Sequence, residues 1–345
     1  MQPRYTNTSD LPLALAVFLA SDSYDYDPTP NTISATTLMK PLRQIILSDR
    51  LAKLPPGEVI LPDIMERAAN RMGASIHDSI ERVWKDELSR KMALLALGIP
   101  AQVGNRVVVN PTDDYVLSHP DCIPVYMEQR LRRKVGKWTV TGKFDFAAEQ
   151  QVQDFKTANV LSYKQQRNAD KQIMQGSLYR WLDANPEHAV RKITKDDMII
   201  MHIFMDWMRA MAKADPSYPQ HRMLKQVLRL KSERETDAWV KHKLDLLDQY
   251  WDAPEGDIPE CAGDDLWRSD PVFKYYKNGD ITAKRSTKNF DTRTQAYTYM
   301  AVDMAGQGAV KEVPGMVKAC GYCNAYDGCT QKDRLILNGE FDPNN

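Results

Sequence analysis

The stretch TGKFDFAAEQQVQDFKTANV, Thr141–Val160, sets Asp145 nine residues ahead of Asp154 and puts Lys156 two residues beyond it. On a strand, side chains two apart share a face, so Asp154 and Lys156 project together, and a hairpin would bring Asp145 beside them. Two carboxylates at close range repel unless a cation sits between them. Oxygen ligands that leave room for water suit Mg²⁺ or Mn²⁺. A lysine next to such a cation can orient an attacking water and offset charge on a phosphoryl oxygen. The chemistry this trio fits is metal-assisted hydrolysis of a phosphodiester. Taken alone, Asp-x-Lys on a strand is commonplace, and most cross-strand ion pairs are solvated surface. The trio gains weight only from its neighbours.

One neighbour is His77, in RMGASIHDSIERVW, with Ile76 and Ile80 beside it. A histidine flanked by apolar helix positions can face inward and offer an imidazole nitrogen to the same cation. Glu81, one turn on, reads as a surface carboxylate. The other neighbour is QIMQGSLYRW, where Gln175 and Tyr179 stand at i and i+4 and share a helix face. An amide and a phenol there could bind a phosphate backbone or brace the lysine.

Elements must position these groups. Residues 1–100 read as helices and loops: SATTLMKPLRQIILSDRL begins at a Ser/Thr cap, and DIMERAANRMGASIHDSIERVWKDELSRKMALLAL is one long amphipathic run with Ile76, Ile80, Val83 and Trp84 on its apolar face. After Gly98 and Pro100 come β-rich pieces, NRVVVN, IPVYMEQRLRRKV, KWTVTGKFDFAA and QVQDFKTA, read as consecutive strands. KQQRNADKQIMQGSLYRWLDAN returns to helix. DMIIMHIFMDW reads as a buried strand, although Met198, Met201, Met205, Met208 and Met211 also fit helical spacing; that stripe is expected to be core. HRMLKQVLRLKSERETDAWVKHKLDLLDQYW reads as a helix or helix pair, with Val240, Leu244, Leu247 and Trp251 on one side. Residues 255–345 are expected to be poorer in secondary structure. The order predicts an α/β fold, a mixed central sheet flanked by helices.

Composition narrows the function little. The chain has 345 residues, and Lys plus Arg equals Asp plus Glu at 46 each, so a nucleic-acid partner would need locally concentrated positive charge. RLRRKVGKW, Arg130–Trp138, and KNGDITAKRSTKNFDTR are two such runs; the first can present only part of its charge to one side of a strand. No Walker-type P-loop and no nucleophile elbow is visible, and GQG at Gly306 follows a helical run and not a strand. LPLALAVFLA, Leu11–Ala20, has the look of a signal-peptide core, but only Arg4 precedes it, Asp10 abuts it and Pro12 lies inside it. It is expected to be an N-terminal helix docked on the core of a cytoplasmic protein, and no stretch reaches membrane-spanning length.

The five cysteines form a poor disulfide framework and a better metal framework. Cys320, Cys323 and Cys329 fall in ACGYCNAYDGC, and Cys261, in IPECAGDDLW, is the best fourth ligand. Cys122 is expected to be an ordinary buried cysteine. The metal would be structural, stapling a tail that buries too little apolar surface by itself.

In order, Gly-(three)-His, Gly-x-x-Asp from Gly142 to Asp145, Asp-x-Lys and Gln-(three)-Tyr resemble the RecB-type branch of the PD-(D/E)xK nuclease superfamily, which includes the nuclease domains of RecB and AddB and CRISPR-associated RecB-like exonucleases. ISATTLMKP and IERVW look like a phage and prophage-encoded subset. The resemblance is densest from Gly73 to Tyr179. It implies a restriction-endonuclease-like core over residues 101–254, a helical N-terminal part over 1–100 and a Cys-rich region over 255–345 that closes onto the core. It implies a DNA exonuclease of recombination, repair or end processing, with DNA as substrate and a single-strand-binding or recombinase protein as companion. His77, Asp145, Asp154 and the Phe155 carbonyl would hold Mg²⁺ or Mn²⁺, Lys156 would be the catalytic lysine, and Gln175 and Tyr179 would support the site and contact DNA. The second carboxylate, often Glu in the family, is Asp154 here. The two-then-five cysteine spacing is similar to the family's 4Fe-4S staple, whose first cysteine precedes the histidine motif. No cysteine precedes His77 here, so a 4Fe-4S cluster and a structural Zn²⁺ both stay open. The alternative to a nuclease is a non-catalytic DNA-binding or assembly module on the same fold.

Overall fold

The computed structural model describes residues 4–21, 27, 29–54 and 61–343. The chain divides into two units, Met1–Met39 with Gly57–Leu244 and Lys40–Pro56 with Asp245–Asn345. The helices include α1 (Leu13–Ala20), α2 (Leu42–Ala52), α3 (Ala68–Lys85), α4 (Glu87–Ala96), α5 (Val160–Lys164), α6 (Ala169–Asp183), α7 (Glu233–Tyr250), α8 (Arg293–Val302) and α9 (Thr330–Leu337). The strands are β1 (Thr32–Ser34), β2 (Val107–Val109), β3 (Ile123–Val135), β4 (Trp138–Ala148), β5 (Gln151–Ala158), β6 (Asp197–Phe204), β7 (Met223–Arg229), β8 (Val272–Tyr276), β9 (Lys288–Phe290) and β10 (Ala309–Val313).

In the first unit the strands line up as β2-β3-β4-β5-β6-β7, with β1 also paired to β4. The β3–β4 and β4–β5 pairs are antiparallel and β5–β6 is parallel, so the sheet is mixed, as the alternation of elements predicts. Two tight turns fix its register. Val135 pairs with Trp138 around Gly136 and Lys137, and Gly136 takes the positive φ of 58° that this turn needs. Ala148 pairs with Gln151 around Glu149 and Gln150, with φ of 51° and 62°. Left-handed backbone in two consecutive side-chain-bearing residues is uncommon. Here the backbone N–H groups of Thr194 and Lys195 donate to the Gln150 carbonyl at 3.0 and 3.1 Å and hold the turn.

Helix α6 lies directly on this sheet because two glycines let it. A Cβ on Gly142 in β4 would stand 2.7 Å from Leu182 and 3.1 Å from the Tyr179 ring; one on Gly176 would collide with Met198 and stand 2.8 Å from Leu230. Phe144, Ile200, Leu178, Trp181 and Leu182 are fully buried in this layer.

Several expectations are corrected. HRMLKQVLRL is not helical: Leu224, Gln226, Leu228 and Leu230 repeat with period two, and Met223–Arg229 is an antiparallel strand beside β6. The helix starts only after Ser232, which exchanges hydrogen bonds with Glu235 in a capping box, Ser232 N–H to Glu235 Oε2 at 2.8 Å and Glu235 N–H to Ser232 Oγ at 3.2 Å. The long amphipathic run breaks at Asp86, whose carboxylate caps Ser89 N–H at 2.7 Å and opens α4. On α3 it is Ile80 and Trp84 that pack against Val125, Met127 and Phe146, whereas Val83 is exposed. The methionine stripe is not core beyond the strand: Met198 is fully buried, but Met205, Met208 and Met211 lie past the end of β6 and are exposed. Helix α1 is apolar on every side, so it cannot bury one face cleanly; Leu19 is buried and Leu13, Leu15 and Val17 are exposed. Cys122 is half-buried. Among the described residues no helix is long and apolar enough to cross a membrane.

The first basic run is partly structural. Arg133 stacks on Trp181 at 4.4 Å and donates to its carbonyl at 2.9 Å, and Arg132 pairs with Asp27 at 2.9 Å. The second unit is more regular than its composition suggests. It holds the antiparallel sheet β10-β8-β9 with α8 packed on it, and a separate small core of Leu266, Val317, Leu335 and Phe341. The second basic run serves this sheet: Lys288 lies over the Tyr299 ring at 4.5 Å and Arg293 pairs with Glu312.

Candidate active site

The β4–β5 ladder covers only Phe146–Ala148 against Gln151–Gln153. Asp145 and Asp154 are the next pair in that register, at the point where the two strands part. Strand β5 continues alongside β6 from Gln153 to Ala158. The tie across the fork is the Phe155 N–H, which donates to Asp145 Oδ2 at 3.1 Å.

His77 enters this fork from α3. Its Nε2 donates to the Phe155 carbonyl at 3.0 Å and its Nδ1 stands 3.3 Å from Asp145 Oδ2. Both ring nitrogens thus face acceptors, and the hydrogen bond to Asp145, with that carboxylate's charge, raises the imidazole above its ordinary pKa against the pull of burial. Burial pushes Asp145 up, but His77, Lys156 and the Phe155 N–H outweigh it and leave its carboxyl below the usual range. The imidazole ring therefore fills the space between a carboxylate and a carbonyl oxygen. One nitrogen and hard oxygens are donor types that a small divalent ion takes.

Asp154 is fully buried. Burial pushes its carboxyl up to about 6, Asp145 adds to the rise and Lys156 opposes it. Lys156 Nζ lies 2.7 Å from Asp154 Oδ2, an atom that takes no other hydrogen bond among the described residues. At 2.7 Å the ammonium is in hydrogen-bonding range of this oxygen and compensates its buried charge. Burial lowers the Lys156 pKa, but Asp154 and Asp145 more than offset that, so the amine stays an ammonium. Gln175 Nε2 donates to Tyr179 Oη at 2.8 Å and reaches Asp154 Oδ1 at 3.5 Å. Tyr179 is only 3% exposed, so it holds Gln175 from beneath and has almost no surface with which to touch a substrate.

Glu128 belongs to the site and was missed in the sequence. Folding β3 against β4 about Gly136–Lys137 sets it opposite Asp145, and its φ of 51° interrupts the ladder there. It pairs with Lys143 at 2.6 Å, and burial raises its carboxyl pKa. His77, Glu128 and Asp145 each offer a ligand atom within 4.8 Å of the others, the one such set among the described residues. Counting both arms of the β3–β4 hairpin from its glycine would have found it. A cavity of about 500 Å³ opens over these groups, lined by Arg67, Arg71, His77, Lys143, Asp145 and Lys156 among others.

The second unit brings its cysteines into one neighbourhood. Burial pushes the Cys261 thiol up to about 12, with added repulsion from Asp265, Cys329, Cys323 and Cys320, and pushes Cys320 up to about 11. None of the four is in a disulfide. Gln331 clamps Cys261 by accepting from its N–H at 2.9 Å and donating to its carbonyl at 2.7 Å. Arg43 of α2, almost fully buried, donates to Cys329 Sγ at 3.3 Å and to the Ile258 carbonyl at 2.8 Å. The Asp265 carboxylate acts on Cys261 together with the three other thiols, and no three of the four sulfurs lie within 4.8 Å of one another.

No family model and no curated protein matches the chain. Several solved structures bear a slight likeness to it, two of which follow. One is SSO0001, with a TM-score of 0.34 and 15% identity over 64% of this chain and 79% of that one. The other is a phage-related exonuclease from Haemophilus somnus 129PT, with a TM-score of 0.30 and 14% identity over 64% of this chain and 93% of that one. Likeness at this level carries no argument about function.

Proposed function

We propose that the first unit is a divalent-metal-dependent DNA nuclease, in its favoured form an exonuclease, and that the fork between β4 and β5 is its catalytic centre. The observation that carries this reading is His77 bridging Asp145 and the Phe155 carbonyl beside a buried Asp154–Lys156 pair. His77, Asp145, Asp154 and the Phe155 carbonyl would hold Mg²⁺ or Mn²⁺, with Glu128 in reach as a further oxygen ligand. A bound cation would polarise the phosphate and ease ionisation of the attacking water.

The residues of the chain supply the rest. Lys156 keeps its proton and faces the charge that grows on the phosphoryl oxygens. Gln175, braced by Tyr179, fixes the Asp154 carboxylate so that it does not turn away. Arg67 and Arg71 are already anchored, Arg67 on the Tyr5 hydroxyl at 2.5 Å and Arg71 on Ser21 Oγ at 3.0 Å, and they line the cavity a DNA backbone would enter. In the reaction a water oxygen bonds to phosphorus, the bond from phosphorus to the departing sugar oxygen breaks, and that oxygen takes up a proton.

The test is cleavage of end-labelled single- and double-stranded DNA with Mg²⁺ or Mn²⁺, by the wild type and by Asp154→Asn. Metal-dependent cleavage lost in the variant supports the reading. DNA binding without cleavage in any divalent metal would replace it with the non-catalytic alternative. For the second unit we propose a structural 4Fe-4S cluster on Cys261, Cys320, Cys323 and Cys329. Iron and a brown colour in protein purified without oxygen support it, and stoichiometric zinc in their place overturns it.

A further inference from the structure

Beyond Lys156, on the side away from His77, lies a second cavity of about 280 Å³ over β5 and β6. Lys156 and Thr157 line both cavities. Parallel pairing sets Lys156 directly beside His202 on β6, so both project on the same face of the sheet. His202 is 4% exposed in a strand whose other buried positions are apolar. Burial of a polar ring in such a strand costs free energy unless it has partners.

Its partners form a one-way chain. The His202 Nε2–H donates to Gln226 Oε1 at 2.7 Å, Gln226 Nε2 donates to Gln166 Oε1 at 2.7 Å, and Gln166 Nε2 donates to the Tyr163 carbonyl at 2.9 Å. Each amide is committed in one direction, which fixes the tautomer: Nε2 carries the proton and Nδ1 is a bare acceptor. That Nδ1 is buried and has no hydrogen-bond partner among the described residues. Burial also holds the ring below the ordinary imidazole pKa, in agreement with a neutral acceptor. The Tyr163 ring stands 4.9 Å from His202, edge to face, and adds an aromatic wall; Gln172 and Gln175 add amides.

We propose that this cavity is a nucleoside subsite, which takes the nucleoside next to the scissile phosphate and satisfies His202 Nδ1 with an N–H or O–H of its base or sugar. The proposal rests on the nuclease reading, because that reading places the phosphate at Lys156. A neutral acceptor, amides and a tyrosine ring suit an uncharged heterocycle on its sugar, while Lys156 and Lys171 at the rim suit its phosphate.

The test measures binding of the four deoxynucleoside monophosphates, and of inorganic phosphate, by calorimetry. The proteins are wild type, His202→Phe, Gln226→Leu and Tyr163→Ala, with folding checked by circular dichroism. The expected result is nucleotide affinity reduced about tenfold in His202→Phe and Gln226→Leu, the loss of roughly one buried hydrogen bond, with phosphate affinity unchanged. The half-buried Gln226→Leu keeps the test valid where His202→Phe fails to fold. On DNA the same variants are expected to raise KM more than they lower kcat. Wild-type nucleotide affinity in every folded variant, alongside normal cleavage, overturns the subsite and leaves the nuclease intact. Absent cleavage in wild type with nucleotide affinity that still depends on His202 overturns the nuclease and leaves the subsite.

Discussion

The two candidate metal centres of this chain are built in opposite ways. In the first unit, His77, Asp145, Asp154 and Lys156 are projected from a helix and two strands and already satisfy one another, with the imidazole ring and the ammonium standing where a cation would. In the second unit, Cys320, Cys323 and Cys329 sit in or beside short 3₁₀ turns, and Cys261 lies between two of them. Burial there raises Cys261 and Cys320, so those two thiols hold their protons until a metal removes them. A centre carried by a sheet can exist before its ion, whereas under the proposal a centre carried by turns around a four-residue core would lean on its ion for stability. The first arrangement suits a site where a metal and a substrate come and go, the second a permanent staple.

The strongest way to break this comparison is to disable each centre separately. Asp154→Asn or Lys156→Ala is expected to lower single-turnover DNA cleavage by about 10³-fold or more while melting remains cooperative. Cleavage near the wild-type rate would remove the first centre from catalysis. Cys323→Ser is expected to do the reverse. A structural thiolate metal contributes on the order of 10 kcal/mol, so hydrogen exchange should deprotect residues 261–341 and leave 123–204 protected. Equal deprotection of both regions would show that the staple is not local.

Three smaller effects sharpen the claim that the first centre is preformed. Gly176→Ala forces a methyl against Met198 and Leu230 and is expected to cost about 1–3 kcal/mol by thermal or urea unfolding. No loss would mean that α6 can lift without consequence. Metal affinity should depend on protons, because bound metal must displace the His77 proton and needs Asp154 ionised. Asp154 is raised to about 6 and His77 lies above its ordinary value, so Mn²⁺ affinity measured by calorimetry should rise with pH, and below pH 6, where both protons must leave, it should fall by a factor approaching about a hundred per unit. A flat profile would contradict the proton-filled ground state. Glu149→Gly relieves left-handed backbone in the β4–β5 turn and is expected to stabilise by about 1 kcal/mol; destabilisation would show that the side chain is needed to hold the register.

Much of the first centre was legible because its residues lie in short local patterns. Strand periodicity puts Asp154 and Lys156 on one face, and the helical i, i+4 spacing joins Gln175 to Tyr179; both pairs meet in the structure. The spacing of Cys320, Cys323 and Cys329 set them apart as a group in the sequence. Glu128 and His202 were not, because neither belongs to a local pattern. Each matters through a residue on the adjoining strand, Asp145 and Lys156 respectively, and strand pairing is a long-range property. The error over Met223–Arg229 has a related cause, since a short apolar run satisfies both periods and only pairing with β6 decides between them.

The sequence by itself determined which groups could do chemistry, the order of the elements and the mixed α/β class, because side-chain type and backbone periodicity are properties of neighbouring residues. The tertiary structure alone decided that β4 and β5 part at Asp145 and Asp154, that Tyr179 braces and is buried, that Glu128 joins the fork and that His202 stands beside Lys156. Those outcomes depend on register, turn length and the close approach of α6 over Gly142 and Gly176, and each is fixed only when distant segments pack.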